Sequence, residues 1–188
     1  MSTPPFVFVV DADAFIALRA LGVLDAITQS AAAATIDLVL TGYIATHDLS
    51  SLSTTINALC QSGHCRVEKV TPSSVAGQMF RGLRKKPCVT KSGKPVHKGE
   101  QEAVCWLVSV RPDATFESAD AGAIDLARDH GIRAGDVLAF VCDLVVLGIL
   151  NSQSASQLLT PWEDRVTGLG RPKEYPGIPT ALVNHKRP

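Results

Sequence analysis

Phe6-Val7-Phe8-Val9-Val10-Asp11-Ala12-Asp13 is the stretch whose reading decides the fold. Five apolar residues, mostly β-branched or aromatic, stop at an acid. Ala14-Phe15-Ile16-Ala17-Leu18 then supplies a good helix start. A short unbroken apolar run predicts a strand buried on both faces, as in a parallel sheet. Ligands of such sheets gather outside the carboxyl ends of the strands, and Asp11 stands at that end.

Working outward, the same strand-then-helix pattern recurs. The first helix begins near Asp13 and carries Phe15, Leu18, Leu21 and Leu24 at helical spacing, with Gly22 placed to bend it. Ile36 to Leu40 predicts a second strand, closed by Thr41-Gly42, and a helix follows from Tyr43 to about Gln61, stopped at Gly63. Cys65 to Val70 alternates apolar and polar residues, predicting a strand with one face in water. Helices are predicted over 74–83 and 99–110, a strand over 114–118, and a helix over 121–130 capped by Gly131. A very short strand at Ile132-Arg133 leads into an apolar helix over 136–150. The sum is an α/β fold, a three-layer sandwich with a mainly parallel central sheet flanked by helices. Residues 1–160 read as one domain. The segment 161–188 holds five of the eleven prolines and several glycines, which predicts an extended, weakly packed tail pinned to the body by Trp162.

Composition narrows the classes of function. The 188 residues carry 18 basic and 18 acidic side chains, so no global field draws the chain to nucleic acid or membrane, and any basic patch is local. The longest apolar run, Val137 to Leu150, is broken by Asp143 and too short for a bilayer. No basic leader with a long apolar core stands at the N-terminus, so the expectation is a soluble, cytoplasmic protein. The five cysteines include no CxxC pair, and Cys60, His64, Cys65 and Cys88 match no familiar zinc spacing. Asp-Ala-Asp-Ala stands where a phosphate loop would need glycines, and no GxSxG elbow occurs.

Three acids are placed to meet. Asp11 ends the first strand, Asp120 follows a later one, and Glu102 lies in the first turn of an apolar helix. Hard divalent cations need oxygen ligands of this kind, and a site so built activates water and steadies charge on a phosphate. Each acid also has a purely local reading: Asp11 or Asp13, and Asp120, as helix caps, and Glu102 as a complement to a helix dipole. From Arg81 to Lys98 the chain carries seven Lys or Arg and no acid. Arg84, Lys85, Lys86, Lys91, Lys94 and Lys98 would therefore hang beside the acids, either as a nucleic-acid backbone contact or as a solvated loop. No aromatic residue lies between Phe80 and Trp106, so base stacking has little support there.

Val10-Asp11-Ala12-Asp13-Ala14-Phe15-Ile16-Ala17-Leu18, Lys98-Gly99-Glu100-Gln101-Glu102-Ala103-Val104 and Glu117-Ser118-Ala119-Asp120-Ala121-Gly122-Ala123 occur in that order. They resemble the opening strand and acid, the "GExEA" helix start and the strand-end "TxD" element of the PIN domain, a family of metal-dependent ribonucleases that includes many bacterial toxins. The apolar ending from Gly131 to Leu150 fits the family's last strand and helix, so the resemblance covers about residues 6–150. It implies an endoribonuclease using Mg2+ or Mn2+, with Asp11, Glu102 and Asp120 at the metal. It implies a further acid after the second strand, where the pattern falls on His47 with Asp48 beside it: His47 as a substitute ligand, or Asp48 as a catalytic acid after a one-residue shift. Asp13 is placed to support the ligands. Ser118 for threonine and Ala119, where relatives often carry an acid, depart from the pattern. RNA, an antitoxin-like protein and a second copy of the chain are the partners implied. The alternative is a catalytically degenerate binding or regulatory module on the same fold, or a toxin-like partner in a protein complex.

Overall fold

The structure is a computed structural model that describes residues 6–84, 96–163 and 170–185. Among them, β1 (Phe6–Val10) is followed by α1 (Ala12–Ala20) and α2 (Val23–Gln29), and β2 (Ile36–Thr41) by α3 (Ser53–Gln61). Then come β3 (Cys65–Glu68), α4 (Val75–Leu83), α5 (Lys98–Val110), β4 (Thr115–Glu117), α6 (Ala121–Asp129) and β5 (Arg133–Gly135). The chain closes with α7 (Val137–Val146), α8 (Ser152–Leu158), α9 (Thr160–Glu163) and α10 (Ile178–Asn184). The five strands form one sheet in the order β3-β2-β1-β4-β5, and every pairing is parallel. The α/β fold with flanking helices is as the sequence predicts.

The expected burial of the first strand follows from this order, because β1 lies at the centre. Val7, Phe8, Val9 and Val10 are all buried, and the Phe8 ring meets Phe140 of α7 edge-on at 5.0 Å. Right-handed crossovers put α1, α2 and α3 over one face and α5 and α6 over the other. α7 joins α1, and α8 and α10 pack upon α7. The direction of winding reverses between β1 and β4. That is a topological switch point, where a crevice opens beyond the strand ends.

Four local expectations change. The first helix is two helices, because Gly22 adopts φ 73° and starts α2 at an angle to α1. The long helix after β2 begins instead with a π-helical turn over Ile44–Asp48 and a 3-10 turn over Ser50–Leu52 before α3. The last strand sits at Arg133–Gly135, one residue past the position expected. The tail is not extended throughout: Trp162 and Ile178 are fully buried, α10 packs on α7 and α8, and His185 Nε2 lies 2.9 Å from Asp143 Oδ1. Prolines did not prevent this, because Pro179 falls in the first turn of α10, where a missing N–H costs nothing. Trp162 does anchor the segment, its ring edge-on to Tyr175 at 5.4 Å. Among the described residues, no helix is long and apolar enough to cross a membrane.

Candidate functional site

At the switch point a cleft of about 310 Å³ is lined by Asp11, Asp13, Asp48 and Glu100, together with Ile44 and His97. The register of the sheet builds its floor. Val10 pairs with Glu117, so Asp11 and Ser118, one residue further along each strand, emerge side by side. Asp11 is almost fully buried. Its Oδ1 accepts the N–H of Ala14 at 2.7 Å and caps α1, and its Oδ2 accepts the Ser118 hydroxyl. Ser118 Oγ in turn accepts the backbone N–H of Asp120 at 2.9 Å. Ser118 thus ties the two acids together.

Burial pushes the Asp11 carboxyl up to about 7, with the Glu100 and Asp13 charges adding to the rise against the lowering effect of its hydrogen bonds. Glu100 is also raised, first by burial and then by the nearby Asp120 charge. Asp48 is raised by partial desolvation, with the Asp13 charge adding a little. Carboxylates that raise one another in a crevice mark a functional site more often than a random surface.

Glu100 and Glu102 divide the roles the sequence assigned to one residue. Glu102 Oε2 accepts the backbone N–H of Tyr43 at 2.7 Å and fastens the start of the π-helical turn to α5; it does not line the cleft. Glu100 lines it instead, while its Oε2 also accepts the His97 N–H at 2.8 Å as a helix-capping contact. Residues two apart on a helix point in nearly opposite directions, so both cannot face one crevice. Glu102, expected at the acids, is thus engaged with Tyr43, and Glu100 is the α5 acid that lines the cleft.

Of His47 and Asp48, the latter lines the cleft. The N–H of Leu49 donates to Ile44 O at 2.8 Å, an i to i+5 bond, and such a turn inserts one residue into the helical frame. The shift brings Asp48 to the cleft, whereas the exposed His47 stacks on Tyr43 with ring centroids 4.5 Å apart. Asp48 Oδ2 packs against Gly99, at a point where a Cβ would overlap it. Asp120 caps α6, its Oδ1 accepting the Gly122 N–H at 2.5 Å. It is not among the lining residues, and it reaches the cleft through Ser118 and through its charge on Glu100. Asp13 is exposed on the rim.

Of the basic residues, Arg84 is exposed and lies 5.6 Å from the centre of the Phe80 ring, and Lys98 is exposed in the first turn of α5 beside the cleft. Lys85, Lys86, Lys91 and Lys94 lie outside the described residues, as does Cys88. Among the described residues, no three His, Cys, Asp or Glu side chains come together in ligating geometry.

Glu117 is the buried acid that the sequence places inside a strand without assigning it a task. It is fully buried, and among the described residues neither carboxyl oxygen has a hydrogen-bond partner. Burial holds it well above the usual carboxylate range, with the Asp143 and Asp136 charges adding to the rise. One signal was available: an acid inside a strand of an all-parallel sheet has no solvent face to occupy.

Comparison with protein-family models, with characterised proteins and with solved structures finds no match for this chain.

Proposed function

We propose that the chain is a PIN-like endoribonuclease that hydrolyses RNA phosphodiester bonds in the acidic cleft with Mg2+ or Mn2+. The observation that carries this reading is the convergence of Asp11, Asp13, Asp48 and Glu100, from three separate segments, on one cleft at the switch point. The donor set suits a hard divalent cation, being all carboxylate oxygen, and the described lining includes no Lys or Arg to neutralise it. Asp11, Asp48 and Glu100 would hold the metal, with Asp120 behind them. When bound, the metal would activate water and offset charge on the phosphate.

The remaining work falls to the chain itself. Ser118 holds the Asp11 carboxylate in place, and the Ala14 N–H fixes its other oxygen. Glu102 orients the turn that presents Asp48. Lys98, exposed in the first turn of α5, would contact the RNA backbone. The resemblance of 10–18, 98–104 and 117–123 to the PIN motifs supports the same reading.

The test is cleavage of a single-stranded RNA by purified protein with manganese. Asp11→Asn should lower the rate more than about 100-fold, beyond what loss of an outer-sphere partner usually costs, and Asp48→Asn should lower it as well. His47→Ala should leave it nearly unchanged. Full activity in Asp11→Asn, or cleavage indifferent to a chelator, would sink the proposal. A second reading is favoured by the capping bonds that already occupy Asp11, Glu100 and Asp120: an RNA-binding or regulatory module without catalysis. Intact RNA affinity with no heat of manganese binding would establish it.

A further inference from the structure

A second cavity, of about 470 Å³, shares no lining residue with the acidic cleft. It lies at the β5 edge of the sheet, lined from both α6 and the α7 segment. Successive strand residues face opposite ways, so Glu117 turns away from Ser118 and toward the side where Phe8 meets α7. There it lines the cavity with Asp136 and Asp143 of the α7 segment, Arg133 of β5 and His185 at the end of α10. Gly135 is the lateral partner of Glu117 in the sheet, and a Cβ there would stand 2.9 Å from Glu117 Oε2. Glycine leaves the carboxyl the room it occupies.

The polar groups around Glu117 are engaged elsewhere. Arg133 Nε donates to Thr115 Oγ1 at 2.6 Å. Arg128, on the exposed rim, donates to Ala134 O at 2.8 Å. Asp136 Oδ1 caps α7 by accepting the Ala139 N–H at 2.9 Å, and Asp143 holds His185. Among the described residues, both oxygens of Glu117 are left without a partner. Leaving a buried acceptor without a donor is unfavourable, and more so for a charged group. The cavity therefore lies against a buried carboxyl that is unmatched among the described residues, with two further carboxylates nearby, and its volume falls within the roughly 300–1,000 Å³ of small-molecule sites.

We infer that this cavity is a binding site for a small guanidinium-bearing cation, held by two parallel N–H bonds to the two oxygens of Glu117. A planar fork is the donor that matches two free carboxylate oxygens at once. Asp136 and Asp143 supply the surrounding negative potential, and the apolar wall from Ile124 and Ala139 receives the alkyl part. The inference is independent of the nuclease proposal.

The probe is butylguanidinium, titrated into the full chain at mildly alkaline pH and followed by amide chemical shifts. Saturable shifts centred on Gly135 and Ala139 are expected, with weaker binding of butylammonium and none of butyrate. Glu117→Gln, nearly identical in shape, should weaken binding at least about tenfold, the least expected when charge-assisted bonds are lost. Asp143→Asn should weaken it by a smaller factor, and Asp48→Asn should not change it. Absence of saturable shifts, or equal affinity in Glu117→Gln, overturns the inference. Binding gained only in Arg133→Gln also overturns it, since the chain's own guanidinium would then be the occupant.

Discussion

Asp11 and Glu117 are buried carboxyls on neighbouring strands, one register step apart, and they differ in what their oxygens touch. Asp11 has both oxygens bonded, to the Ala14 N–H and the Ser118 hydroxyl. Glu117 has neither bonded. Strand alternation sends them to opposite faces of the sheet, one into the crevice where α1, the π-helical turn and α5 meet, the other under α7. The difference teaches that burial alone does not define a site. Two groups raised by the same desolvation are set to different tasks by the donors around them.

The largest expected effect is on stability against pH. Burial first, then nearby acids, raises Asp11 from an ordinary 3.8 to about 7, and Glu117 moves in the same direction. Across that window the folded chain holds protons that the unfolded chain has released. Stability contributed by these groups is therefore present below the unfolded value and is lost as pH rises through the folded one. For Asp11 the loss is at most on the order of 4 kcal/mol, since each tenfold difference in proton affinity between folded and unfolded chain is worth roughly 1.4 kcal/mol. Urea unfolding from pH 4 to 8 should show the decline, and Asp11→Asn should flatten part of it. Manganese should restore stability at neutral pH in the wild type and not in Asp11→Asn. A metal-independent decline, unchanged in the variant, would detach Asp11 from the cleft reading.

The next effect separates the two carboxyls by sign. At about pH 5, below the Asp11 midpoint, Glu117→Met should raise stability by about 1–3 kcal/mol, because it removes an unsatisfied buried polar group. Asp11→Ala should lower it by about 0.5–2 kcal/mol, the usual cost of a lost helix cap. Thermal melts of both variants test the pair. If both destabilise equally, Glu117 has a partner in solution.

Much of this was legible in the sequence, and the failures have physical causes. The run from Phe6 to Val10 announced a central parallel strand ending in an acid, because only a strand covered on both faces reads as continuously apolar. The companionship of Asp11 and Asp120 was legible from their strand-end positions. Whether Glu100 or Glu102 faces the cleft was not, since both sit in one helical turn and only the docking of α5 on β2 decides its rotation. The choice between His47 and Asp48 depended on a π-helical turn, which leaves no residue signature of its own. The tail looked extended because proline was counted without asking where each ring would fall, and Pro179 falls at a helix start. The run 85–95 of the basic segment lies outside the described residues, so among the described ones only Lys98, in the first turn of α5, stands beside the cleft.

The smallest effects come from two glycines that make room for the two kinds of carboxylate. At Gly135 an added Cβ would lie 2.9 Å from both Glu117 Oε2 and Ala139 Cβ, so Gly135→Ala should cost about 1–3 kcal/mol by overpacking. At Gly99 the added Cβ would meet Asp48 Oδ2 and lie 2.9 Å from Ile44 Cγ1, but Asp48 is exposed and can swing aside. A helical alanine also recovers up to about 1 kcal/mol over glycine, so the two terms nearly cancel and the melting temperature of Gly99→Ala should barely change. Its consequence is displacement of Asp48 from the cleft, visible as weaker manganese affinity or slower RNA cleavage in a protein of unaltered stability. If stability and cleft chemistry both stay at wild-type levels, the π-helical turn presents Asp48 to solvent and not to the site, and the acidic cleft is left to Asp11, Asp13 and Glu100.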